Sequence, residues 1–197
     1  MDKLKIGVLG LRRGRVYLDN FLAMDNVILV GAADRYPLWR EPHRAKIEAA
    51  GGRLVSEFED LLALKPDAVM VATNARVHAD HSIQALQAGC HVLCEIPATY
   101  TQDELLRLRD AVKRSGRLYM CAENSCFLDF LRYWRKWFLE GRFGEVACAH
   151  CEYVHYLPET LVLPDGRRLT PSQAAAEGRT DATPIWRADQ PPIQYLT

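Results

Sequence analysis

The 197-residue chain carries 25 Lys and Arg against 25 Asp and Glu, a formal charge of zero, so its net balance draws it neither to nucleic acid nor to an anionic membrane. With 49% of its residues apolar it can bury a sizeable core, which excludes a disordered chain, and at roughly 100–200 residues per domain it holds one α/β domain and a remainder. No apolar run approaches the roughly 18–20 residues of a membrane span, and Met1-Asp2-Lys3-Leu4-Lys5 enters a strand pattern at once, so a cytoplasmic protein with a small-molecule ligand is expected.

In chain order, residues 4–9 and 27–34 are short apolar runs with the character of strands buried on both faces, and residues 16–24 between them predict a helix. Helical spacing follows over 39–50, 57–64, 77–88 and 101–115. Strand-like runs stand at 67–72, 91–94 and 118–122. Strands alternating with helices predict βαβ units with right-handed crossovers, hence a doubly wound parallel sheet covered on both faces. Gly89 and Gly116 sit where helix C-termini need a left-handed residue, and Thr101 with Glu104 has capping-box spacing.

After Ala122 the pattern changes. Residues 128–140 carry Phe130, Leu131, Trp134, Trp137, Phe138 and Leu139 at mixed helical spacing, expected to be core between two layers, and Gly141-Arg142-Phe143-Gly144 ends them. One strand is predicted from Glu145 to about Tyr156, whereas residues 157–197 hold six of the ten prolines and show no clear strand or long helix. A lone strand cannot satisfy its own edges, so residues 1–122 read as one domain and 123–197 as the start of an incomplete α/β second one.

The six cysteines lie in or beside apolar segments and are expected to be free, buried thiols. Cys148 and Cys151 have C-x-x-C spacing near His150 and His155, but strand alternation sends the two thiols to opposite faces, so no metal is expected.

The chemistry begins where the first strand leads into Gly7-Val8-Leu9-Gly10-Leu11-Arg12-Arg13-Gly14-Arg15. Glycines at a strand-to-helix turn let backbone N–H groups approach a pyrophosphate. With Gly10 as the first glycine of G-x-G-x-x-G, Arg12 holds the second place and Arg15 the third; a side chain there crowds a diphosphate unless Arg12 or Arg13 pairs with it. Asp34 follows 24 residues after Gly10, near the distance at which an acidic side chain takes adenosine ribose hydroxyls. It favours NAD, Arg35 beside it keeps NADP open, and a plain helix cap is the competing role. Ala72-Thr73-Asn74 and Glu95-Ile96-Pro97 end further strands at the carboxyl edge, where ligands of open α/β sheets bind.

The stretch Val71 to His78, then Ala88 to Pro97, then Ala122-Glu123-Asn124 resemble successive signatures of the Gfo/Idh/MocA oxidoreductases, named for glucose-fructose oxidoreductase and inositol dehydrogenase; Gly141 to Val146 and Trp186-Arg187 are similar to later landmarks. The resemblance implies an N-terminal Rossmann domain and a C-terminal domain whose sheet floors the active site and often mediates homo-oligomerisation. It implies that Ala72, Thr73, Asn74 and His78 border the cofactor, that Glu95, Ile96, Pro97 and Asn124 lie near the nicotinamide, and that the bond before Pro97 is cis. Trp186 and Arg187 then sit at the domain junction, or are a packed Trp and a surface Arg. Two departures matter. Ile96 replaces the lysine of the family's Glu-Lys-Pro, and the glycine-rich segment with its aspartate and histidine would follow Thr197.

The resulting expectation is an NAD(H)-binding protein acting on a sugar or cyclitol hydroxyl by hydride transfer. With lysine absent, the proton acceptor falls to Glu123, Tyr153, His155 or a group beyond the chain end; Tyr153 and His155 share a strand face, as a catalytic pair or as packing of the sheet floor. Two rivals stand beside it: an NAD-dependent glycoside hydrolase that oxidises transiently and eliminates, and a catalytically silent nucleotide-binding protein.

Overall fold

The computed structural model describes residues 2–150, 152 and 160–184. The chain divides into two compact units, residues 1–122 and 123–197. Among the described residues no helix is long and apolar enough to cross a membrane.

The first unit runs β1 (Leu4–Leu9), α1 (Leu11–Leu22), β2 (Val27–Ala33), α2 (Pro37–Arg40), α3 (Arg44–Ala49), β3 (Arg53–Val55), α4 (Phe58–Ala63), β4 (Ala68–Val71), α5 (His78–Gln87), β5 (His91–Cys94), α6 (Gln102–Ser115) and β6 (Tyr119–Cys121). Its six strands are all parallel in the order β3-β2-β1-β4-β5-β6, which makes the gap between β1 and β4 the point where the winding reverses. Alternation along the strands sorts the core into two layers. Leu9, Val69 and Val71 pack on one face with Leu61, Leu86 and Leu108. Ile6, Val8 and Met70 pack on the other with Leu18, Leu29 and Ile47. Both faces are therefore dry, which is why these strands read as unbroken apolar runs.

Three differences from the sequence expectation have local causes. Helix α1 begins at Leu11 rather than Val16, because Leu11, Gly14 and Leu18 form its buried stripe while arginines occupy its exposed face. The segment 39–50 is split: Pro42 has no N–H to continue a helix, so α2 ends at Arg40, a tight turn spans 41–43 and α3 starts at Arg44. Strand β3 went unforeseen because three residues are too few to show alternation. It pairs with β2 across Gly31, where a Cβ would stand 2.5 Å from the Arg53 carbonyl oxygen.

The foreseen cap of α6 is present: the Thr101 hydroxyl accepts from Glu104 N at 3.1 Å and the Glu104 carboxylate accepts from Thr101 N at 3.1 Å. Thr101→Ala is expected to lower stability by about 1 kcal/mol, read as a shifted urea midpoint with an unchanged m-value.

The second unit contains α7 (Asp129–Leu139), β7 (Leu161–Val162), β8 (Arg168–Leu169), α8 (Pro171–Ala176) and β9 (Thr183–Pro184). The aromatic stripe expected to be core is exposed on α7: Phe130, Trp134 and Phe138 all face solvent, the last at 59%. The stripe makes the helix amphipathic, but periodicity alone does not supply a covering layer. No strand forms over 145–150, where the sequence pattern placed one, and among the described residues no strand pairs with that backbone; 151 and 153–156 lie outside the described residues. Instead two-residue strands in the order β8-β7-β9 build a small antiparallel sheet around Leu163, Leu169 and Ala174. Strands this short, set among proline and an Asp165-Gly166 turn, leave no readable run.

The thiols also differ from expectation. Cys90 and Cys94 are buried, Cys121 is half-buried, and Cys126 and Cys148 are exposed. Cys148 lies in the stretch 145–150, which forms no strand. Burial pushes the Cys94 thiol up to about 11. Among the described residues no group of three or more His, Cys, Asp or Glu is arranged to share a metal ion; Cys151 and His155 lie outside them. Iodoacetamide at neutral pH is expected to label Cys126 and Cys148 in the native chain and Cys94 only after unfolding, as peptide mass spectrometry would show.

Candidate functional site

The carboxyl ends of β1, β2, β4 and β5 carry nearly all the residues of the first unit that the sequence singled out. Gly10 makes the turn between β1 and α1 with φ of 88° and ψ of 105°. Its N–H donates to the Ala33 carbonyl at 2.8 Å, while Ala72 N donates to Leu9 O at 2.8 Å, so the turn is pinned between β2 and β4. A Cβ on Gly10 would stand 2.6 Å from the Ala72 carbonyl oxygen. Gly14, one turn into α1, faces the sheet: a Cβ there would stand 2.9 Å from Val8 Cγ1. Close helix–strand packing, the task of a third glycine, thus falls to Gly14 rather than to the Arg15 position expected from spacing. No side chain of Gly10 caps α1, so its first turn presents N–H groups without intrahelical acceptors.

Asp34, 8% exposed, sits just beyond β2. Its Oδ2 accepts from Leu11 N at 2.7 Å and its Oδ1 from Tyr36 N at 2.9 Å. The carboxylate therefore does cap a helix, but that helix is α1 across the sheet edge rather than the one that follows in sequence. Each oxygen keeps a lone pair for a further donor, so capping and ribose recognition are compatible. Arg12 does not project over the turn unrestrained: its guanidinium carbon lies 5.3 Å from the Trp39 ring centroid, a cation–π contact. Arg35 is exposed and pairs loosely with Glu57 at 3.9 Å.

At the end of β4, Ala72 is buried and the Thr73 hydroxyl lies 3.1 Å from His81 Nδ1. Burial holds the His81 ring below its ordinary value. Asn74 turns its Oδ1 to Arg76 N at 3.0 Å, capping the turn 75–77. His78 is buried, with Nδ1 2.9 Å from Pro97 O and Nε2 3.2 Å from Thr73 O, so it ties the loop after β4 to the loop after β5.

Glu95 follows β5 and is 7% exposed. Its Oε1 accepts from Arg13 Nε at 2.6 Å and from the Tyr17 hydroxyl at 2.7 Å; its Oε2 accepts from Ile96 N at 3.1 Å. Burial, aided by the Glu95 carboxylate, raises the Tyr17 phenol far above its ordinary value, so it remains a donor. The bond between Ile96 and Pro97 is cis, and the Ile96 side chain is exposed.

Glu123 and Asn124 belong to the second unit. Ser125 N donates to Glu123 Oε1 at 2.7 Å and holds that carboxyl below its usual range. Tyr153, His155, Trp186 and Arg187 lie outside the described residues. Sequence reasoning missed Tyr17 and His81. Tyr17 stands four residues after Arg13 on the same helix face, a spacing that was available; His81 needed the loop geometry.

The profile of the Gfo/Idh/MocA group, "Oxidoreductase family, NAD-binding Rossmann fold", matches residues 4–123. The chain belongs to this family. Among curated relatives, the D-glucoside 3-dehydrogenase of Escherichia coli K12 is 34% identical over 86 residues, 44% of this chain and 24% of that protein. Glycosyl hydrolase family 109 protein 1 of Bacteroides thetaiotaomicron is 28% identical over 169 residues, 81% of this chain and 36% of that protein. The chain therefore spans well under half the length of these Gfo/Idh/MocA relatives. Among solved structures, the WlbA dehydrogenase of Bordetella pertussis, crystallised with NADH and UDP-GlcNAcA, superposes with a TM-score of 0.64 at 28% identity, covering 73% of this chain and 42% of that one.

Proposed function

We propose that this Gfo/Idh/MocA protein binds NAD(H) along the carboxyl edge of its six-stranded sheet and serves hydride transfer at a hydroxyl-bearing carbon of a sugar or cyclitol. The observation that carries this is the convergence of the Gly10 turn, Asp34, Thr73-Asn74 and Glu95 on that edge, beside the point where the winding reverses. The residues fit a dinucleotide: Gly10 at the start of α1 brings no side chain over its first turn, where Asp34 takes the Leu11 N–H alone, Gly10 and Gly14 keep the turn close to the sheet, and both Asp34 oxygens keep acceptor capacity.

In this reading Gly7, Gly10, Leu11, Arg12, Arg13 and Gly14 form the diphosphate turn. Asp34 takes the adenosine ribose with Arg35 at its rim, and Ala72, Thr73 and Asn74 border the nucleotide, their loop held by His78. Glu95, Ile96 and Pro97 neighbour the nicotinamide. Bound NAD supplies the hydride acceptor for a carbinol carbon. The hydroxyl proton then needs a protein base, and Ile96 cannot be one. Glu123, Tyr153 and His155 are the candidates, Glu123 being the weaker base for its hydrogen bonds with Ser125. Residues 1–122 are the cofactor unit and 123–197 belong to the substrate and oligomerisation unit of a cytoplasmic enzyme. Calorimetric titration with NADH and NADPH tests this: NADH is expected to bind more tightly, and absence of heat with both overturns it.

The similarity to a family 109 glycosyl hydrolase over 81% of the chain favours a second reading, NAD-dependent glycoside cleavage. Release of free sugar with no net NADH identifies it, net NADH formation identifies the dehydrogenase, and nucleotide binding with neither identifies a silent relative.

A further inference from the structure

We infer that Glu95 and Tyr17 are positioning residues that aim Arg13 at the nucleotide's diphosphate. This rests on the dinucleotide reading above and adds to it the residues that set the phosphate grip. Arg13 is the third residue of α1, in the turn whose N–H groups and dipole favour an anion. Its Nε is committed to Glu95, yet its side chain is 62% exposed, and Nη1 and Nη2 have no carboxylate partner among the described residues. An exposed arginine ordinarily loses rotamer entropy when it grips a ligand. Here a buried carboxylate holds the guanidinium at one edge and leaves the other edge as a two-donor fork, the geometry that suits a phosphate.

Tyr17, one turn further along α1, donates to the same Glu95 oxygen at 2.7 Å and so fixes the carboxylate from the helix side. Its raised phenol stays protonated across the physiological range, so the bond does not depend on pH there. The Arg13–Glu95 pair is formally neutral, so the preference for a phosphate comes from donor geometry more than from net charge. Three groups 78 and 82 residues apart in sequence are thereby joined at the edge where β5 ends.

The test titrates the 197-residue chain and its variants with NADH, ADP and adenosine by calorimetry. Arg13→Ala is expected to weaken NADH and ADP roughly 10–100-fold and leave adenosine within about twofold. Arg13→Lys is expected to recover little, since it keeps the charge without the Nε and fork. Tyr17→Phe, which keeps the ring and its packing, is expected to weaken ADP about 3–10-fold in the parent and to add nothing in the Arg13→Ala background. Such coupling, confined to the phosphate-bearing ligand, is not a property of a merely structural tyrosine. Tighter ADP binding by Tyr17→Phe or Glu95→Gln would show that the cluster withholds Arg13 from the ligand and would overturn the inference, as would equal losses for ADP and adenosine. If the parent bound neither NADH nor ADP, the dinucleotide reading itself would fall; if it bound both and Arg13→Ala changed nothing, only the inference would.

Discussion

Gly10→Ala is expected to destabilise the chain by roughly 2–5 kcal/mol, a large part of the roughly 5–15 kcal/mol that holds a typical domain together. Two costs combine. At φ of 88° an L-residue is strained wherever it stands. The added Cβ would also stand 2.6 Å from the Ala72 carbonyl oxygen, 2.8 Å from its carbon and 2.9 Å from Thr73 N. These are backbone atoms at the end of a buried strand, which cannot swing aside as a side chain can. Gly51 supplies the control: its φ is 79°, and a Cβ there meets nothing within 4 Å. Gly51→Ala should therefore show the conformational cost alone, about 1–3 kcal/mol, and the difference between the two urea midpoints measures the collision. Because the same turn aims the start of α1, whatever Gly10→Ala protein folds is also expected to lose NADH affinity; equal midpoints for the two variants would contradict the close approach.

Asp34→Ala is the second large effect, and it acts on two levels. In the unliganded chain it removes the acceptor of the buried Leu11 N–H, an unsatisfied donor that costs about 1–3 kcal/mol. In the complex it removes the carboxylate proposed to take the ribose hydroxyls. A charged acceptor contributes about 1.5–3 kcal/mol per hydrogen bond, so NADH should bind roughly 10–100-fold more weakly. Asp34→Asn separates the levels. It keeps one acceptor oxygen but no charge, so NADPH, no longer repelled at its 2′-phosphate, should gain on NADH. An NADH-to-NADPH affinity ratio unchanged in both variants would leave Asp34 as a cap of α1 and nothing more.

The parallel sheet was legible because its strands are buried on both faces: Val69-Met70-Val71 reads as one apolar run although its residues serve two different core layers. The capping box at Thr101 and Glu104 was legible because all its information lies within four residues. What escaped reading depends on partners remote in sequence. The apolar stripe of α7 gives the helix and its moment but not whether anything covers it. The third-glycine role of Gly14 became visible only when Val8 and Ala72 stood opposite it. Asp34 illustrates a middle case. Its distance from Gly10 marked it as a ribose ligand or a helix cap, yet which N–H it accepts from followed from strand order, not spacing. The Arg13–Glu95 pair spans 82 residues, and no local pattern announces it.

Binding of NADH along the carboxyl edge is tested most directly by amide chemical-shift mapping of the 15N-labelled chain titrated with NADH. The expected result is saturable shifts concentrated at residues 10–14, 34–35, 72–74 and 95–96, with the helices on the opposite edge of the sheet unmoved. An unchanged spectrum at millimolar NADH, or shifts confined to residues outside that edge, would contradict it.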